Sequence, residues 1–210
     1  MKRKSKMIAL TLGLIMTASM FSGCKKDAED IELSAGESMF EVKDDLSVAY
    51  SMVESFSSKN YKIDDLKKAV NQEVSDFNEN YAKTKDSLTL SSLEKTGENV
   101  KLVYQFASQD EVENYLEAFE KEDEDGVFFA GTCKDAQKAG YTPESELTDT
   151  EGKESVSAET AMGEEEMKVV VTSRKTKVYV DGDVQYLTDG ATYDDGVVTT
   201  KKGMNYIFYK

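Results

Sequence analysis

The chain has 210 residues, with 26 basic and 41 acidic side chains and a formal net charge of −15. That excess of acid repels phosphate backbones and anionic headgroups, which argues against nucleic acid as a partner and against electrostatic attachment to a membrane. The absence of histidine removes Ser-His and Cys-His catalysis, histidine general bases and histidine-ligated zinc.

The chain starts with "MKRKSK", which carries four cations, followed by "MIALTLGLIMTASMF", apolar from Met7 to Phe21. A basic start, a short apolar core and small residues before a cut site describe a secretory signal peptide. The apolar run falls short of the roughly 20 residues a spanning helix needs. It exits through Phe21, Ser22, Gly23 and Cys24. These residues resemble the lipobox of bacterial lipoproteins: Ser22, Gly23 and Cys24 match, and Phe21 stands where leucine is usual. The resemblance implies a signal peptide over residues 1–23, cleavage before Cys24, and lipid of the diacylglycerol and palmitate type on that cysteine. It places the protein on the extracytoplasmic side of the cell membrane. One acyl chain holds a protein marginally and two or three hold it firmly. Without residues 1–23 the chain keeps 22 basic and 41 acidic residues, a net charge of −19, so the lipid and not charge is the anchor. Beyond this signal the chain resembles small envelope lipoproteins of Gram-positive bacteria, which implies no activity.

Residues 24–44 are polar and acidic without a sustained period, and read as the lipidated cysteine and a flexible tether. A domain is expected over 45–210. Leu46, Ala49, Val53 and Phe56 recur at helical spacing, with Asp44 or Asp45 as cap. A second helix carries Ile63, Leu66, Val70, Val74, Phe77 and Tyr81 on one face, with Asp64 and Asp65 at its start. The two are expected to form a helical hairpin. Two β-like runs then flank "TGEN", the second with Val100, Leu102, Tyr104 and Phe106 on one face. Ser108 and Glu111 form a capping-box pattern before a third helix with Val112, Tyr115, Leu116 and Phe119 inward. "GVFFAGT" follows as a short apolar strand.

Residues 134–166 have almost no large apolar side chains and are expected to be a mobile loop. Charge concentrates nearby: residues 108–166 hold 19 acids and 4 bases. The last 44 residues hold 7 bases and 5 acids and read as a β-meander punctuated by Asp181-Gly182, Asp189-Gly190 and Asp195-Gly196. "VYVDGDVQY" has the form of a two-residue hairpin, because Asp-Gly accepts the positive φ of a primed turn. The expected class is α+β: a helical hairpin and a third helix on a mostly antiparallel sheet that the C-terminal meander completes.

Catalytic motifs are missing. There is no Gly-rich phosphate loop and no G-x-S-x-G elbow. "EKEDEDG" places Asp123, Asp125 and Gly126 as a calcium loop would, but Lys121 and Thr132 occupy ligand positions, so a solvated helix end with a glycine stop is the better reading. No metal and no cofactor is expected. Cys133 has no partner once Cys24 is lipidated, and reads as a small buried hydrophobe more than as a reactive thiol. The eleven tyrosines fall at core spacing. The functional expectation is a non-catalytic lipoprotein that binds an envelope protein, a peptide or a small solute. The alternatives are an envelope hydrolase using carboxylates and an assembly subunit of an envelope complex.

Overall fold

The computed structural model describes residues 28–58, 61–120 and 126–210. Among them the protein is α+β, with four α-helices and two mostly antiparallel sheets. The first sheet begins with β1 (Glu37–Val42) and β2 (Val48–Ser55), paired antiparallel with Phe40 opposite Tyr50. Their rings stack at 4.4 Å. This corrects two expectations. The stretch 24–44 is not all tether, because β1 lies inside the sheet with Met39, Phe40 and Val42 buried. Residues 46–56 are not a helix, so there is no helical hairpin. Val48, Ala49, Tyr50 and Ser51 are all buried, so both faces of β2 are covered and the polar/apolar alternation of a half-buried strand is missing. Asp45, read as a helix cap, accepts a hydrogen bond from Ser47 N at 2.9 Å, an Asx-type turn inside the β1–β2 connection.

Helix α1 (Ile63–Asn80) and the hairpin of β3 (Leu88–Thr96) and β4 (Asn99–Phe106) form where the sequence places them. So does α2 (Gln109–Phe119). The capping box does not form. Ser108 makes no side-chain cap bond, and Glu111, 2% exposed, points away from it. The Glu111 carboxylate accepts from Lys83 N at 3.0 Å, Ser87 Oγ at 3.0 Å and Asn114 Nδ2 at 3.1 Å, which ties the α1–β3 connection to α2.

The C-terminal strands do not extend one sheet; they divide between two. The first sheet runs β11 (Thr192–Asp194), β12 (Val197–Thr199), β9 (Lys177–Val180), β1, β2, β4, β3, with β1–β9 parallel. The second runs β5 (Phe128–Thr132), β8 (Lys168–Thr172), β13 (Asn205–Tyr209), β10 (Val184–Thr188), β6 (Leu147–Asp149), β7 (Ser155–Val156). The Asp181-Gly182 corner is therefore no hairpin: it carries the chain from β9 in one sheet to β10 in the other. Gly182 has no positive φ, and a Cβ there would lie 2.5 Å from the Lys210 carbonyl oxygen, so the glycine serves close packing against the chain end. The primed hairpin is at Asp195-Gly196, with φ of 49° and 89°, between β11 and β12.

One buried cluster takes side chains from both sheets: Phe40, Tyr50 and Val178 meet Phe128, Val170 and Ile207, with Phe77 of α1 and Tyr115 of α2. Phe40 and Phe128 rings lie 4.5 Å apart across the sheets. A second cluster covers the other face of the second sheet, so "VVV" in β8 splits between the two: Val170 faces one, Val169 and Val171 the other. Residues 134–166 build that second cover and are not a loose loop. They hold most of α3 (Cys133–Lys138), all of β6 and β7, and α4 (Ala158–Met162). Ala136, Leu147, Ala161 and Met162 are buried there with Cys133 and Met167. Small side chains suffice because the helices lie close against the sheet. Thr132, a failed calcium ligand by sequence, accepts from Asp135 N at 3.2 Å as the N-cap of α3.

Candidate ligand-binding cleft

The apolar stripe of α1 faces the first sheet, but its N-terminal half does not close onto it. A cleft of about 540 Å³ remains between α1 and strands β2, β3 and β4. That volume lies in the range of small-molecule sites. Its walls are apolar, with Met52, Leu66, Val70, Leu93 and Leu102. Its floor carries polar chemistry. Glu73 sits in the α1 stripe between Val70 and Phe77, and its Oε1 accepts two hydrogen bonds, from Tyr104 OH at 2.6 Å and Tyr115 OH at 2.7 Å. The two phenols are 1% and 3% exposed. Burial above all holds both far above the ordinary tyrosine range, with the Glu73 carboxylate adding to it at Tyr104, and Tyr104 and then Glu73 adding to it at Tyr115. They remain protonated donors at any physiological pH. The rim holds Glu54, Tyr61, Lys62 and Asp65, all exposed, and Phe56. Phe56 and Tyr61 rings stand 5.2 Å apart, and Lys95 Nζ lies 5.9 Å from the Phe56 centroid.

Chemically, the Glu73 carboxylate is pinned by two fixed donors at one oxygen, with an apolar cleft in front of it. Glycosidic or similar acid–base work needs two carboxylates set across the reacting bond, and here the other two of the lining, Glu54 and Asp65, stand exposed at the rim. Phenols held this high offer no nucleophile. Among the described residues no group of three or more acidic or cysteine side chains could hold a metal ion, and no helix is long and apolar enough to cross a membrane.

The lipobox residues Phe21, Ser22, Gly23 and Cys24 lie outside the described residues, as do Lys121, Asp123 and Asp125. Cys133 is 2% exposed at the first turn of α3, with its Sγ 3.9 Å from the Ala161 carbonyl oxygen. Burial pushes its thiol up to about 11, so it sits there as an inert core side chain. Sequence reasoning placed Tyr104 and Tyr115 in the core correctly but did not connect them, and passed over Glu73. The available signal was an acid at i+3 from Val70 and i−4 from Phe77, inside an otherwise apolar helix face. No family model, curated protein or solved structure matches this chain.

Proposed function

We propose that the chain is a lipoprotein, anchored through a lipid on Cys24 at the extracytoplasmic side of the cell membrane, whose domain binds a small solute in the cleft under α1 without catalysis. The anchor rests on the Ser22-Gly23-Cys24 pattern after a basic, apolar leader. The binding role is carried by one observation: an apolar cleft of about 540 Å³ with the Glu73–Tyr104–Tyr115 constellation at its floor. Buried polar groups gathered at the end of an apolar cleft are the usual form of a small-molecule site.

Two measurements test the two halves. Metabolic labelling with a fatty acid marks the wild type and leaves Cys24→Ala unlabelled; equal labelling would remove the anchor. A solute screen by NMR compares wild type with Ala69→Trp, which puts a large side chain from exposed α1 into the cleft. Hits that vanish in Ala69→Trp, at an unchanged melting temperature, support the cleft. Hits that bind both chains equally place binding elsewhere.

A further inference from the structure

Building on the cleft as a binding site, we infer that its ligand is a small organic cation, with an ammonium head against Glu73 and an apolar body along Leu66, Leu93 and Leu102. The head group follows from how Glu73 is used. Both phenols donate to Oε1, and Oε2 makes no hydrogen bond among the described residues. An open carboxylate oxygen on an apolar wall is best met by a charged donor. An anionic head is disfavoured twice over: it meets Glu73 at the floor, and among the described residues the lining holds three carboxylates, Glu54, Asp65 and Glu73, against one cation, Lys62.

The rim carries the same preference. The Lys95 ammonium, 5.9 Å from the Phe56 centroid, already takes one face of that ring, so the rim offers a cationic ligand the exposed Tyr61 ring and the Glu54 and Asp65 carboxylates instead. The net charge, −19 without residues 1–23, draws small cations toward the whole molecule and raises their arrival rate at the cleft. The apolar walls select for a body behind the head, and among the described residues the acidic side chains of the cleft are not grouped so that three or more could hold a bare metal ion.

The test uses three probes with one body and different heads: hexylamine, 1-hexanol and hexanoate. They are titrated by calorimetry and NMR into the mature chain, residues 24–210 with Cys24→Ala so that no lipid is attached. Hexylamine is expected to bind about tenfold or more tighter than 1-hexanol, with hexanoate weakest. Glu73→Gln keeps a carbonyl acceptor for the two phenols and is expected to bring hexylamine down to the level of 1-hexanol. Asp64→Asn, an exposed acid of α1 outside the lining, is expected to leave the preference intact. Equal binding of amine and alcohol, or the same loss in Asp64→Asn as in Glu73→Gln, would overturn the cation assignment while leaving the cleft as a site. Binding of hexanoate above hexylamine would overturn it in the opposite sense. No binding of any of the three would overturn the assignment and count against the cleft itself.

Discussion

Glu111 separates the local reading of α2 from its tertiary role. As the fourth residue of a capping box it would serve Ser108, and replacing either residue would cost about 1 kcal/mol. In the structure Ser108 makes no side-chain cap bond, while the Glu111 carboxylate accepts from Lys83 N, Ser87 Oγ and Asn114 Nδ2 at 3.0–3.1 Å. Glu111→Ala removes three bonds to a charged acceptor, each worth about 1.5–3 kcal/mol. Ser87 retains the Thr84 carbonyl at 2.7 Å, and Asn114 is half-buried and can turn to water, so much of the gross loss is recovered. The Lys83 N–H is the donor left without its partner. A net cost of about 3 kcal/mol follows, a large share of a typical margin of about 5–15 kcal/mol. For a chain of this size it corresponds to a fall in Tm of about 6–12 °C. Ser108→Ala is expected to cost less than about 0.5 kcal/mol. Urea denaturation of both variants, followed by far-UV circular dichroism, measures the two costs side by side. If Ser108→Ala destabilises as much as Glu111→Ala, the capping box exists and the tertiary role assigned to Glu111 is wrong.

Three further outcomes are expected. Deleting residues 205–210 removes β13 from between β8 and β10, with Tyr206, Ile207, Phe208 and Tyr209 all buried; at about 1.5–3 kcal/mol each the loss matches the whole stability margin, and the cooperative melt should vanish. Burial, and after it the neighbouring Glu117, raise the Glu113 carboxyl above the usual range. A raised folded-state value means that the folded chain binds the proton more tightly, so the stabilisation is fully present below the unfolded value and is lost as pH rises through the folded value. Glu113→Gln should therefore raise the urea midpoint at pH 7 and leave it unchanged near pH 3; a lower midpoint at pH 7 contradicts this. Cys133, 2% exposed with a thiol pushed up to about 11, should react with a disulfide reagent at pH 8 only on unfolding, and fast labelling of the native chain would show that the thiol is open.

What the sequence determined by itself is whatever a local period specifies. The stripes of α1 and α2 repeat at helical spacing over several turns, and β3–β4 alternates about a glycine turn, so these elements stand where the pattern puts them. The class α+β follows from them. The tertiary structure decided the rest. Buried on both faces, β2 shows no alternation, and its apolar residues also fit a helix. Residues 37–42 sit in a polar, acidic stretch, and it takes pairing with β2 on one side and with β9, more than 130 residues away, on the other to bury Met39, Phe40 and Val42. Asp181-Gly182 and Asp195-Gly196 carry the same two residues; one turns a corner between sheets and the other closes a hairpin, because strand partners, not the dipeptide, set the path. Glu73 was visible as an acid in an apolar stripe. Its two phenol partners come from β4 and α2, 31 and 42 residues further on, and only packing brings them to one oxygen. Periodicity is a property of neighbours in sequence, whereas a cleft is made by surfaces that meet only when the chain has folded.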